Sequence, residues 1–147
     1  MAEATPDDFF GRLVERCPDA VVYADASGNI RYWNAAATRI FGHDADEAIG
    51  VRLDLIIPDR LRGRHWEGWD RVMAGGESRY GDGALLAVPA QRKDGSRISV
   101  EFTILPLRDE GGALVGIAAF LRDATERFEE MRALRRENAA LKAAGGA

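Results

Sequence analysis

Cysteine occurs once in the 147 residues, as Cys17, and histidine twice, as His43 and His65. A single thiol can neither close an internal disulfide nor build a thiolate metal cluster, and it fits a reducing compartment. Any metal must then be held by imidazole or carboxylate. Long apolar runs are missing too. No stretch approaches the roughly 18 consecutive apolar residues of a spanning helix, and the acidic start MAEATPDD lacks the basic-then-apolar layout of a secretion signal. A cytoplasmic location without a membrane partner is expected. Positive charge is not in excess: 20 basic against 24 acidic residues leave a net charge of −4. That balance gives no broad basic face for duplex DNA or anionic lipid, so nucleic acid is not an expected partner.

Catalytic landmarks are equally scarce. No serine or cysteine nucleophile stands beside a histidine, no glycine loop opens a helix after a strand to cradle phosphate, and kinase and nucleotide-cyclase signatures are lacking. The expectation is a binding module, not an enzyme. What the chain does have is an apolar content of 46%, enough for one compact domain, in a length too short for two ordinary ones.

The patterning changes along the chain. Residues 5–16 carry Phe9, Phe10, Leu13 and Val14 at helical spacing, and Pro18 bars continuation. Ala20 to Ala26 and Ile30 to Trp33 are β-rich runs around Ser27-Gly28-Asn29, which predicts a hairpin. NAAATRIFG has Asn34 as a side-chain cap and Gly42 as a left-handed stop, and Asp44 to Ile49 repeats the scheme with Gly50 as stop. LDLII then runs into Pro58, which suits the first turn of a longer helix reaching about Met73 and ended by Gly75-Gly76.

Beyond Arg79 the period becomes that of strands. Leu85 to Gln91 and Ser96 to Leu107 flank Lys93-Asp94-Gly95, and Leu114 to Leu121 follows a turn at Asp109-Glu110-Gly111-Gly112, which together predict an antiparallel meander. Pro89 cannot donate to a ladder, so its strand belongs at an edge or at a bulge. Thr125 to Lys142 reads as one helix. Its Met131, Leu134, Asn138 and Leu141 form an a/d seam, which either pairs with a second chain or folds back on its own sheet.

In the helix around position 65, Leu61, Trp69 and Val72 share one side with His65, Trp66 and Met73 flank it, and Arg64, Glu67, Asp70 and Arg71 fall on the other. An imidazole on an apolar side is either a core histidine bonded to backbone or a ligand. Gly68 removes bulk one turn from His65, which would admit a flat ligand. Arg71 and Arg79 are either solvated charges or partners for ligand carboxylates entering edge-on. Leu86, Val88, Phe102, Ile104 and Leu121 would form an apolar wall or ordinary core. His43, in the polar loop HDADEAIG, reads as exposed or capping.

These elements and several strings coincide with one family. PDAVVYADASGNIRYWNAAATRIFG resembles the opening hairpin and first helix of PAS domains, QRKDGSRISVEFTILPLRDEGGALVGIAAFLRDAT resembles their closing meander, and Asp123-Ala124-Thr125 matches the Asp-x-Thr junction leading to a signalling helix. The resemblance covers residues 18–125. It implies an α+β chain with the PAS fold: a five-stranded antiparallel sheet with helices over one face, plus a C-terminal coiled-coil helix, acting as an input sensor in signal transduction. Residues 1–17 would then be an N-terminal amphipathic helix, 18–123 the sensor domain and 124–147 the signalling helix.

Within that family, PDRLRGRHWEGWDRVMAGGESRYGDG is similar to the haem-binding branch of bacterial oxygen-sensor kinases and phosphodiesterases. This resemblance implies that His65 is the axial iron ligand of haem b (iron protoporphyrin IX). It implies that Arg71 and Arg79 hold the propionates, with Trp69, Leu86, Phe102 and Ile104 around the cofactor. There is a departure. Oxygen sensors of this branch place an arginine on the first meander strand, where counting back from Lys93-Asp94-Gly95 puts Leu86; Ala84 falls where another subgroup has a methionine ligand. One extra residue lies between His65 and that strand. With Leu86 facing the iron the distal side is apolar, which favours carbon monoxide or nitric oxide over oxygen.

The function expected is a sensor of a diatomic gas or of redox state that relays through a dimeric C-terminal helix. Its partners would be the gas, a second copy meeting it through the N- and C-terminal helices, and an output kinase or other signalling protein. No transmitter follows residue 147, so the output lies in a partner or the chain is an excised piece. The alternatives are a flavin-binding PAS sensor and a cofactor-free dimerisation module. The light-sensing flavin version needs a cysteine in the helical middle, and Cys17 precedes the first strand.

Overall fold

The computed structural model describes residues 8–75 and 84–145. Helix α1 (Phe9–Glu15) leads into strands β1 (Ala20–Asp25) and β2 (Ile30–Trp33), and a helical middle follows: α2 (Ala35–Phe41), α3 (Ala45–Ala48), a 3-10 turn (Leu53–Ile56) and α4 (Asp59–Met73). Strands β3 (Leu86–Gln91), β4 (Arg97–Arg108) and β5 (Leu114–Asp123) precede the final helix α5 (Thr125–Gly145). The five strands form one antiparallel sheet in the order β2-β1-β5-β4-β3. Pro89 lies on the edge strand β3, opposite Ser99, where a missing donor is tolerated.

Short-range chemistry sets the first half. Asp25 Oδ1 accepts the amides of Ser27 and Asn29 at 3.0 and 3.1 Å, and Gly28 takes φ +83°, closing the β1–β2 turn. Asn34 caps α2 by accepting the Ala37 amide at 3.0 Å, and the same oxygen accepts Val21 N at 2.9 Å. Its Nδ2 donates to the carbonyls of Val14 and Asp19 at 3.0 and 3.1 Å. One buried amide side chain thus satisfies four backbone groups and ties the chain before β1 to the start of α2.

The main core lies between sheet and helical middle. Ile30, Trp33, Phe41 and Val100 are its largest fully buried apolar side chains, and the Trp33 and Phe41 rings lie 5.6 Å apart. Burial of each contributes roughly 1.5–3 kcal/mol. Trp33 Nε1 is satisfied by Thr38 Oγ1 and the His43 carbonyl. A second cluster of Ala24, Trp69 and Ile117 forms where α4 meets the sheet.

The terminal helices contribute nothing to either core. Neither α1 nor α5 has a buried residue, so α5 does not fold back over its own sheet. It is fixed only at its first turn, where Ala124 N donates to the Ser99 carbonyl at 2.8 Å and Thr125 Oγ1 accepts Ser99 N at 3.0 Å. Strand β5 and helix α5 run further than the sequence pattern implies, to Asp123 and Gly145, because the ladder continues to the pair Val100–Asp123. Among the described residues, no helix is long and apolar enough to cross a membrane.

Candidate functional site

Two tryptophans fix α4 over the sheet. Trp66 Nε1 donates to Asp54 Oδ1 at 2.7 Å, and the Arg52 guanidinium lies 4.1 Å from the centre of its ring. Trp69 is buried and donates Nε1 to the Ala26 carbonyl at 3.2 Å, which ties the helix to the β1–β2 turn. At the helix start Arg62 donates to the carbonyls of Ile57 and Asp54 at 3.0 and 3.1 Å. These contacts leave α4 little freedom to roll.

His65 packs against both indoles, its ring centre 4.6 Å from Trp66, edge-on, and 6.0 Å from Trp69, while the indoles themselves lie 5.6 Å apart. The residue is half-buried, and its Nδ1 is buried with no hydrogen-bond partner among the described residues. Burial holds its pKa below the ordinary value; Arg52 acts the same way and Asp54 opposes. The imidazole is therefore neutral at pH 7, which is the form that ligates a metal.

A cavity of about 740 Å³ opens beside it between α4 and the sheet, within the rough 300–1,000 Å³ range of small-molecule and cofactor sites. Strand alternation turns Val100, Phe102 and Ile104 of β4 inward. The register sets Phe102 between Leu86 and Leu121, and Ile104 beside Ala119, which in turn pairs with Val22. Every sheet residue lining the cavity is apolar. The charged and ionisable lining residues among those described, Arg64, His65, Glu67 and Arg71, all belong to α4. Gly68 also lines it, and a Cβ added there would meet no atom within 4 Å. A helix-weakening glycine here has no packing reason inside the protein, so the space it leaves is free for a ligand.

The structure brings His65, Trp69, Arg71, Leu86, Phe102 and Ile104 to this one cavity, as well as Val88 and Leu121. Arg79 lies outside the described residues. Two expectations need correcting. Arg64, Glu67 and Arg71, placed by helical spacing on the far side of α4, border the cavity mouth because it opens along the exposed flank of the helix. His43 is buried, packed 6.4 Å from the Trp33 ring with Nδ1 3.8 Å from Glu47, and it is not a cavity residue.

Sequence reasoning also missed Val22, Leu53 and Ile56 in the lining, and Arg52 and Asp54 around Trp66. The alternation of β1 carried a signal for Val22. Nothing local pointed to Arg52 and Asp54.

The donor set bears on what could bind. Among the described residues no group of three or more His, Cys, Asp or Glu side chains could hold a metal ion. A lone imidazole suits a metal whose other ligands come from a macrocycle. The unpartnered nitrogen, the flat apolar wall and the Arg71 guanidinium at the mouth fit haem, a planar group with two carboxylates.

Residues 14–129 match the family described as the PAS fold. An uncharacterized protein of Azorhizobium caulinodans is 40% identical over 125 residues, covering 84% of this chain and 17% of that protein. The oxygen sensor protein DosP of Escherichia coli is 29% identical over 124 residues, covering 84% of this chain and 15% of DosP. The sensor protein FixL of Bradyrhizobium diazoefficiens is 29% identical over 115 residues, covering 78% of this chain and 22% of FixL. The chain therefore spans less than a quarter of the length of these relatives.

Among solved structures, the PAS domain of a Colwellia psychrerythraea protein has a TM-score of 0.67 at 21% identity, covering 80% of this chain and 95% of that one. An RNA-binding light-oxygen-voltage receptor has a TM-score of 0.73 at 20% identity, covering 95% of this chain and 39% of that one. At such identities the likeness to both concerns the fold alone.

Proposed function

The chain belongs to the PAS family, and on that premise we propose that it is a haem-b sensor module, not an enzyme, which detects a diatomic gas or a redox state in the cytoplasm. The observation that carries this reading is His65, whose buried Nδ1 finds no partner among the described residues, on the helix facing the apolar sheet wall of the cavity. Burying a polar atom unpaired costs about 1–3 kcal/mol unless something satisfies it. Further support comes from DosP, named an oxygen sensor, which aligns with 84% of this chain at 29% identity.

When bound, haem supplies an iron that takes a gas ligand or changes oxidation state. In this reading His65 would hold the iron, its ring kept neutral by burial and packed against Trp66 and Trp69. Arg71 would pair with a propionate at the mouth, and the family resemblance implies the same role for Arg79, which lies outside the described residues. Leu86, Phe102 and Ile104 would keep water out of the cavity around the group and offer no side-chain donor. Gases that need no hydrogen bond, carbon monoxide and nitric oxide, are then favoured over oxygen.

Movement of the wall reaches α5 through β4 and β5. A second copy pairs with the exposed seam of α5 and with the exposed apolar residues of α1, and the dimeric helices bias an output kinase or another signalling protein. A flavin reading draws on a likeness of fold alone. Cys17 precedes β1 and is not among the cavity residues, so no adduct-forming thiol is at hand.

Absorption spectroscopy after addition of haem tests the proposal. A strong band near the blue edge of the visible, shifting on reduction and with carbon monoxide, is expected, and His65→Ala should lose most of it relative to protein absorbance. A broad yellow doublet in the purified protein would point to flavin. A chain that stays colourless, or a His65→Ala variant that keeps its haem, overturns the assignment.

A further inference from the structure

Glu101 is a buried carboxylate with no part in the cavity. Its exposure is 4%, and it lies on β4 between Val100 and Phe102, both of which face the cavity. The alternation of the strand therefore turns Glu101 to the other side of the sheet, with Arg122 of β5 and Ala87 of β3 as its ladder neighbours. Its Oε1 has no hydrogen-bond partner among the described residues. What stands against that oxygen is the guanidinium of Arg127, from the first turn of α5.

A valine would fill such a strand position at lower cost, because the buried Glu101 carboxylate recovers its desolvation only from a well-aligned partner, here the largely exposed Arg127, while removing that partner strands the charge. The pair therefore defines position better than it adds stability. α5 has no buried residue of its own, and among the described residues its polar ties to the sheet are the Ser99 contacts with Ala124 and Thr125, the bonds that Thr125 N and Oγ1 donate to Asp123 Oδ1 of β5, and this ion pair.

We infer that Glu101 is the positioning residue for α5, acting through Arg127, so that alternate residues of one strand touch the cavity and set the course of the output helix. A shift of β4 at Phe102 displaces Glu101, its chain neighbour, and α5 follows through Arg127. The attachment itself is independent of what the cavity holds; its role in signalling rests on the sensor reading above.

Hydrogen–deuterium exchange of the full chain tests it, with Glu101→Gln and Arg127→Ala alone and combined. In the cofactor-free chain each single change should speed exchange in the first turn of α5 by on the order of tenfold while β1 and β2 keep their wild-type rates. The double change should be no faster than the singles, as a shared interaction requires. Arg127→Lys should restore most of the protection.

Wild-type rates in both single variants, or additive effects in the double, would overturn the inference whatever the cofactor. Addition of haem should alter exchange in α5 of the wild type and not of Glu101→Gln. Uptake of haem with no response in wild-type α5 overturns the relay while leaving the haem assignment intact. Failure to take up haem sinks the haem assignment, and the cofactor-free cycle still decides on Glu101.

Discussion

Trp66 occupies the space that a side chain on Gly28 would need: a Cβ there would stand 2.3 Å from Cη2 of the indole. The glycine also has φ +83°, a conformation that other residues adopt with strain. This contact, the Trp66–Asp54 bond and the Trp69–Ala26 bond hold α4 at a fixed distance from the β1–β2 turn. Gly28→Ala is expected to destabilise the chain by about 2–4 kcal/mol, combining overpacking with left-handed strain. Urea unfolding measures it, and a loss below about 0.5 kcal/mol, the usual size of a neutral surface change, would mean that the turn does not brace the helix.

Gly68 faces the opposite situation, with open cavity where its side chain would be. Gly68→Ala should stabilise the cofactor-free chain by about 0.5–1 kcal/mol through helix propensity, and it should weaken haem uptake by narrowing the approach to His65. Thermal unfolding and haem titration of the same variant check the two opposed signs. If uptake does not change, the ligand does not pass over this part of α4.

The lowered pKa of His65 gives a pH dependence with a definite sign. The unfolded chain binds a proton at about 6.5 and the folded one only at lower pH, because burial disfavours the charged ring. Stability from this group is complete above that ordinary value and is lost as pH falls from it toward the lowered folded value. The urea midpoint of the wild type should therefore drop more between pH 7 and pH 5 than that of His65→Leu, where the ring is gone. Parallel curves for the two proteins would show that His65 is not shielded. Haem binding should weaken only below the lowered folded value, where the proton begins to compete for the nitrogen.

Leu134 and Leu141 are 63% and 66% exposed on a helix with no buried residue. With Met131 they mark the seam on which a second copy would pack. Leu134→Glu is expected to lower the apparent mass in sedimentation from dimer toward monomer, by placing like charges across the pairing line. An unchanged mass would move the dimer contact away from α5.

The sequence made the local devices legible because their causes are local. The Asn34 cap, the left-handed Gly42, the turns at Gly28 and Gly95 and the proline on an edge strand can each be read within a few residues, and strand alternation named most of the cavity wall. His65 could be placed on the apolar side of its helix by spacing alone.

What could not be read depends on distance in three dimensions. The bonds of Asn34 to Val14 and Asp19, the stacking of Arg52 on Trp66 and the pairing of Glu101 with Arg127 join segments that no periodicity relates. The burial of His43 escaped notice for the same reason, since the ring that covers it comes from β2.

The strand order also governs when the molecule can close during synthesis. The hairpin of β1 and β2 leaves the ribosome early, but the free edge of β1 finds its ladder partner only with the last strand, Ala20 against Leu121. Until then the greasy side of the nascent hairpin has no permanent cover, and pairing so remote in the chain is slow to nucleate. A pause or truncation before β5 would thus leave a sticky, half-built sheet, and chaperone demand should fall sharply once that strand has emerged.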